Sequence, residues 1–166
     1  MPLRLALLLL VASLSVGCVS SGSDSPLQTG KGRDEARAAY VQLGLGYLGQ
    51  GLSEQAKVPL QKALALDNQD ADANAALALV FQAQAEPELA DQYYQKALAV
   101  RPHDPRLLNN YGSFLYQQER YEQAAGYFQQ AATDTLYPER SRVFENLGVT
   151  SVRLGQRESA RRQLEK

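Results

Sequence analysis

The fold is decided by residues 71–104, ADANAALALVFQAQAEPELADQYYQKALAVRPHD, because the small residues of this stretch recur along the chain. Ala78, Ala90 and Ala97 each have a counterpart 34 residues earlier and another 34 residues later. The earlier counterparts are Gly44, Ala56 and Ala63, and the later ones are Gly112, Ala124 and Ala131. Three series of small residues with one period indicate an internal structural repeat.

Large residues keep the same step between the small ones. The three series are Leu43, Leu77 and Tyr111, then Tyr47, Phe81 and Leu115, then Leu60, Tyr94 and Phe128. Small residues let the first helix of a repeat lie close to the second, and large residues fill the space beside them. A period of 34 is that of the tetratricopeptide repeat, TPR. The sequence therefore predicts an all-α TPR helix-turn-helix solenoid, wound as a right-handed superhelix.

The repeat phase predicts the domain boundaries. TPR 1 is expected at 35–70, TPR 2 at 71–104, TPR 3 with an extended linker at 105–140, and an incomplete TPR 4 at 141–166. The predicted helices are 37–50, 53–66, 71–84, 87–100, 105–118, 121–134, 141–154 and one from 157 onward. Gly148 follows Gly112 by 36 residues, so TPR 4 is shifted by two, and we expect the chain to be truncated within it. Pro59 is expected to bend the second helix near Gln55.

The N-terminal segment is typical of an export signal. An apolar run, 5–14, follows Arg4 and ends in small residues directly before Cys18, the only cysteine. This arrangement resembles a bacterial lipobox, with Ser15 where leucine is usual. It predicts a lipoprotein signal peptide at 1–17, lipid attachment at Cys18 and a flexible tether at 18–34. The alternative is an ordinary thiol near a standard cleavage site. Val19, which is not Asp, favours the outer membrane, with the protein facing the periplasm.

Composition and motifs argue against catalysis and against nucleic-acid binding. The net charge is -1, and there is one histidine. Gly44, Gly46 and Gly49 fit a dinucleotide fingerprint, but they fall inside a predicted helix. Asp70 and Asp72 begin a calcium-loop pattern that Ala75 and Phe81 do not continue. We expect no catalytic residues, no metal, no cofactor and no small-molecule substrate.

A protein-binding groove is the remaining candidate site, on the first helix of each repeat. The predicted groove residues are Val41, Leu45, Leu48, Ala75, Leu79, Asn109, Ser113, Tyr116, Val149 and Val152. Their apolar N-terminal members would suit an amphipathic helix of a partner. The alternative is that Val41 and Leu48 pack against residues 32–39 as an N-terminal cap.

Four segments carry a closer resemblance. They are KGRDEAR at 31–37, QAKVPL at 55–60, LNNYG at 108–112 and YPERSRVFENLG at 137–148. Together with the lipobox, the tether and the repeats, they resemble the type IV pilus biogenesis and stability lipoproteins, the pilotins of the PilF/PilW family. The resemblance implies a partner, the type IV pilus secretin, which the protein would help to localise and assemble in the outer membrane for twitching motility. The alternative is a generic periplasmic TPR lipoprotein that serves as an adaptor for envelope assembly or cell-wall enzymes.

Overall fold

The computed structural model describes residues 29–165, which form eight α-helices and, within that range, no strand. The helices are α1 (Gly30–Gly49), α2 (Ser53–Leu66), α3 (Ala71–Ala83), α4 (Pro87–Val100), α5 (Pro105–Gln117), α6 (Tyr121–Ala131), α7 (Arg140–Arg153) and α8 (Arg157–Leu164). The signal peptide predicted at 1–17, the lipid site Cys18 and the predicted tether up to residue 28 lie outside the described residues. The chain divides into two units, Met1–Arg33 and Asp34–Lys166.

In the described part of the first unit, Thr29 begins α1. Its Oγ1 accepts a hydrogen bond from the Gly32 N–H at 3.0 Å, and its carbonyl accepts from the Arg33 N–H at 3.0 Å. The first bond satisfies one of the N–H donors that a helix N-terminus otherwise leaves free, and the second is the first backbone hydrogen bond of the helix. α1 therefore starts at Gly30, seven residues before the prediction and within the segment 18–34 assigned to the tether. The other helices match their predicted bounds to within three residues.

In the second unit, the helices form hairpins in which a small residue on the first helix faces a large one on the second. A Cβ added to Gly44 would lie 2.5 Å from Leu60 Cγ, and one added to Gly112 would lie 2.7 Å from the Phe128 ring. Gly148 has the same relation to Leu164, at 2.7 Å. Glycine at these positions lets the first helix lie close to the side chain 16 residues further on.

Aromatic side chains form the centre of the core between repeats 2 and 3. Tyr94, Tyr111 and Phe114 are each at most 2% exposed, and their ring centroids lie 5.4 to 6.1 Å apart. Phe128 of α6 joins the same cluster. These rings come from α4, α5 and α6, so they tie neighbouring repeats together as well as filling one hairpin.

The turn inside each hairpin repeats one backbone motif. Gly51, Ala85, Glu119 and Gly155 have φ between 58° and 74°, the left-handed region. The N–H of the next residue closes on the carbonyl five residues earlier at 2.9 Å, as Arg120 does on Leu115. This is the Schellman ending of a helix. The left-handed residues fall in the gaps between the predicted helices, at 51–52, 85–86, 119–120 and 155–156.

Charged side chains stabilise the turns that connect one repeat to the next. Asp70 caps α3 by accepting from the Ala73 N–H, and Asp104 caps α5 by accepting from the Leu107 N–H at 3.1 Å. Arg37 pairs with Asp67 at 2.9 Å and with Asp70 at 3.0 Å. The calcium-loop acids are thus helix caps and ion-pair partners in the part of the chain described.

Two further features concern the predicted irregularities. α2 runs without interruption through Pro59, so the repeat is retained. At the start of α7, Arg140 Nε donates to the Ala132 carbonyl at 2.8 Å, and its guanidinium lies 4.8 Å from the Phe144 ring centroid. Arg140 therefore links the start of α7 to the end of α6, across the linker that shifts repeat 4 by two residues. Across residues 29–165, none of the helices has the length and apolar character needed to cross a membrane.

Candidate functional site

The predicted groove residues fall into three classes of exposure. Val41, Ala75 and Asn109 are buried, each at most 4% exposed. Leu45, Leu48, Leu79, Ser113 and Tyr116 are half-buried, and Val149 and Val152 are 46% and 57% exposed. Three of the ten side chains thus lie within the wall of the groove. Partner binding by the seven accessible ones stays a prediction.

The N-terminal stripe of the predicted groove, which consists of Val41, Leu45 and Leu48, takes part in packing between helices. The sequence analysis did not anticipate these contacts. Val41 packs with Ala63 of α2 and Ala73 of α3. Leu45 and Leu48 contact the cluster around Leu60 and Leu77. Because α3 closes against α1 and α2, these residues support the joint between repeats 1 and 2. The contacts described run to α2 and α3.

The C-terminal half of the groove contains an open cavity. Ser113, Tyr116 and Val149, all predicted, line a space of about 280 Å³ between α5 and α7. Gln117, Asn146 and the buried ring of Phe128 complete it. Its floor is therefore aromatic and aliphatic, and its rim carries amide and hydroxyl groups. Such a mixture can hold one apolar side chain and hydrogen-bond the backbone beside it.

Hydrogen bonds between the first helices hold the cavity in shape. Asn146 Nδ2 donates to Asn109 Oδ1 at 2.9 Å and lies 3.5 Å from Ser113 Oγ. At the far end of α7, Arg153 Nε donates to the Tyr116 hydroxyl at 3.1 Å. This hydrogen bond raises the pKa of the Arg153 guanidinium. Tyr116 is further fixed by an edge-on contact with Tyr121, with ring centroids 5.2 Å apart.

Sequence reasoning missed three lining residues. Gln117 follows the predicted Tyr116 by one residue, and Asn146 lies three residues before the predicted Val149. A wider helical face would have included them, because a groove-facing stripe spans more than one residue per turn. Phe128 was assigned only to the core, and it reaches the cavity because Gly112 leaves room beside its ring.

No catalytic or metal constellation emerges from the described residues. Among residues 29–165, no group of three or more histidine, cysteine, aspartate or glutamate side chains is arranged to hold a metal ion. Gly44, Gly46 and Gly49 of the dinucleotide-like pattern lie within α1, and Gly44 is accounted for by Leu60.

Comparisons with known proteins agree with this architecture. A tetratricopeptide repeat family model matches residues 75–108. The type IV pilus assembly protein PilF of Pseudomonas aeruginosa is 58% identical over 166 residues, which cover 100% of this chain and 66% of that protein. An uncharacterised protein of Haemophilus influenzae is 33% identical over 130 residues, covering 78% of this chain and 70% of that one.

Two solved structures share the fold. The structure of Pseudomonas aeruginosa PilF has a TM-score of 0.80 at 60% identity, covering 81% of this chain and 60% of that one. PilW, described as a widely conserved type IV pilus biogenesis factor, has a TM-score of 0.74 at 27% identity, covering 78% and 59%. The chain thus spans about two thirds of the length of these relatives. From the repeat, the helix hairpins and these likenesses together, the chain belongs to the PilF/PilW family of TPR proteins of type IV pilus biogenesis.

Proposed function

We propose that this protein is a pilotin: a non-catalytic lipoprotein that binds the type IV pilus secretin and promotes its localisation and assembly in the outer membrane. The observation that carries the proposal is the cavity between α5 and α7, with its aromatic floor and amide rim. Membership in a family of pilus biogenesis proteins supports the choice of partner.

The proposed mechanism divides the work between two parts of the chain. A lipid on Cys18 would fix the protein to the inner face of the outer membrane, and the residues after it would give the repeats their reach. The groove would then hold a secretin segment by one apolar anchor near Val149 and by hydrogen bonds from Asn146 and Gln117. Binding of this kind depends on a few well-placed anchors and not on total area.

The groove is tested with a matched pair of valine substitutions. Val149→Glu places a charge in the cavity, whereas Val58→Glu places the same charge on α2, away from it. Both valines are about half exposed, at 46% and 56%, so neither change should unfold the protein. Leu45 and Leu79 suit this test less well, because both are half-buried against the core.

The measurement is an affinity pull-down from detergent-solubilised envelopes. We expect the secretin to be recovered with the wild-type protein and with Val58→Glu, and to be lost with Val149→Glu. Recovery of β-barrel assembly factors or peptidoglycan hydrolases in place of the secretin would contradict the pilotin role and favour the adaptor function.

The lipid address is tested separately with Cys18→Ala. We expect secretin multimers in the outer-membrane fraction to fall sharply, because the protein would no longer be held at that membrane. Multimers at the wild-type level would refute the lipid-address part of the mechanism and leave the groove untouched.

A further inference from the structure

A second concave surface lies on the other side of α5 from the groove. Ser113, Tyr116 and Gln117 face the groove cavity. Tyr111 faces a cavity between α4 and α6, and Gln118 faces a neighbouring cavity between α4 and the turn from α5 to α6. At 3.6 residues per turn, these two sets belong to opposite faces of α5. The adjacent cavities measure about 440 and 370 Å³ and share Arg120 in their lining. Both volumes are within the range of small-molecule sites.

The lining of this second surface is rich in neutral amides. Five glutamines border the two cavities: Gln92, Gln95, Gln118, Gln123 and Gln130. A glutamine side chain offers both hydrogen-bond donors and acceptors, but Gln95 Nε2 already donates to Asp91 and Gln123 Oε1 already accepts from Arg120 Nε. Asp91 also accepts from Arg120 at 2.6 Å and from the Tyr111 hydroxyl at 3.0 Å. The surface therefore presents the amides of Gln92, Gln118 and Gln130, and the carboxylate of Glu88, around this bonded cluster.

One ring and one glycine shape the smaller cavity. Tyr127 is half-buried and held edge-on against Tyr111, with ring centroids 4.7 Å apart. Gly126 lies in the middle of α6, where glycine costs about 1 kcal/mol relative to alanine. Nothing lies within 4 Å of where its Cβ would stand, so packing does not require the glycine. Gly46 in α1 is equally uncrowded. Packing therefore does not explain Gly126, and its position is of interest because it lies beside the polar lining of the cavity.

We propose that the surface between α4 and α6 binds a saccharide chain bearing acetamido groups. Hydroxyl and acetamido groups both donate and accept, which matches the glutamine amides, and the Tyr127 ring offers an apolar surface to the C–H groups of a sugar ring. A protein partner is less suited, because protein interfaces rely on buried apolar anchors at their centre. The proposal rests on these two cavities and is independent of the groove.

The test measures binding of a fluorescent β-1,4-linked tetrasaccharide of N-acetylglucosamine to the full-length protein by anisotropy. Gly126→Leu places a side chain in the smaller cavity, where nothing lies within 4 Å of its Cβ, and it improves helix propensity, so the fold should be kept. Gly46→Leu is the matched control on α1. A double variant, Gln92→Ala with Gln130→Ala, removes one exposed amide from each cavity and leaves the cavities open.

We expect saturable binding by the wild-type protein and by Gly46→Leu, with affinities within about twofold of each other. Gly126→Leu and the double glutamine variant should each weaken binding at least about tenfold, because the ligand loses space or hydrogen bonds. Absence of saturable binding by the wild-type protein would overturn the proposal. Wild-type affinity in both the Gly126→Leu and the double glutamine variants would overturn it as well. Circular dichroism verifies that each variant keeps its helix content.

Discussion

Gly112 and Gly126 are both helical glycines, and the residues around them lead to opposite expectations. A Cβ at Gly112 would meet the Phe128 ring at 2.7 Å, and that ring is 1% exposed and cannot easily move. A Cβ at Gly126 would meet nothing within 4 Å. Replacing each glycine by alanine therefore separates the effect of close packing on stability from the effect of helix propensity.

We expect Gly112→Ala to lower the free energy of unfolding by about 1–2 kcal/mol, because overpacking outweighs the gain in propensity. Gly126→Ala should raise it by about 1 kcal/mol. Urea unfolding followed by circular dichroism measures both changes. Equal and stabilising effects at the two sites would show that α5 and α6 are not in contact at Gly112.

The contribution of Asp72 to stability is predicted to depend on pH. Partial burial acts to raise the pKa of its carboxyl, but hydrogen bonds and charge from Arg101 and Arg106 outweigh this, and the pKa is held below its usual value of 3.8. Arg101 lies 2.7 Å away, and Arg106 reaches from the start of the next repeat. A lowered folded-state pKa means that the stabilisation is present above about pH 4 and is lost as the pH falls further.

We expect Asp72→Asn to be less stable than the wild-type protein at pH 7, and the deficit to shrink at low pH, as the pH falls below about 4 and the wild-type carboxylate becomes protonated. The comparison uses unfolding midpoints at each pH. Glu145→Gln, at an exposed position in the middle of α7, serves as the control and should show little difference from wild type at either pH. A deficit for Asp72→Asn that is unchanged at low pH would contradict the role of charge.

At the scale of the element, the left-handed turn residues differ in chemistry but share one conformation. Glu119 has φ of 58°, and Gly51 has φ of 74°. A side chain in this region costs about 1–2 kcal/mol, whereas glycine adopts it freely. The strain at Glu119 is maintained because the hairpin on either side fixes the turn.

We expect Glu119→Gly to raise the free energy of unfolding by up to about 1 kcal/mol and Gly51→Ala to lower it by about 1 kcal/mol. Glu122→Gly is the control, because it makes the same change three residues later, inside the first turn of α6, and should destabilise. Thermal unfolding shows which of these variants are stabilised and which are destabilised. Destabilisation by Glu119→Gly equal to that by Glu122→Gly would contradict the turn assignment.

The sequence predicted most elements because their determinants are local and periodic. Pro87 and Asp104-Pro105 mark helix starts, and the 34-residue step carries these signals from repeat to repeat. The start of α1 was missed because Gly30 and Gly32 suggested a linker, whereas Thr29 supplies the cap. The burial of Val41, Ala75 and Asn109 was missed because it depends on how the first helix of the next repeat closes, which one repeat alone does not determine. The cavity residue Asn146 was missed because the predicted groove-facing stripe was too narrow.

At the scale of the whole molecule, burial is unevenly distributed along the repeats. α5 has seven buried residues, including Leu107, Phe114 and Leu115, while Ala160 is the buried residue of α8. Leu164 of α8 is 55% exposed although it faces Gly148. In a linear array, each helix is stabilised mainly by its neighbours, so local stability follows local burial.

We therefore expect amide hydrogens of α8 to exchange at least about tenfold faster than those of α5. Hydrogen exchange with mass spectrometry measures both peptides in one experiment. α6, which has four buried residues over a similar length, is the control and should lie between them. Uniform exchange across α5, α6 and α8 would mean that the array opens as one cooperative unit.

The recurring left-handed turn has a consequence for how such a chain changes in length over evolution. Ala85 and Glu119 occupy the same step of their turns, and each is followed by a residue whose N–H closes on the carbonyl five positions back. Excising residues 86–119 would join Ala85 directly to Arg120 and restore an equivalent turn with no new loop. Unequal recombination at these points therefore adds or removes whole repeats in frame, in steps of 34 codons. In repeat 4 the equivalent residue is Gly155, which lies 36 residues after Glu119. Adding or removing that repeat would therefore need a step of 36 codons.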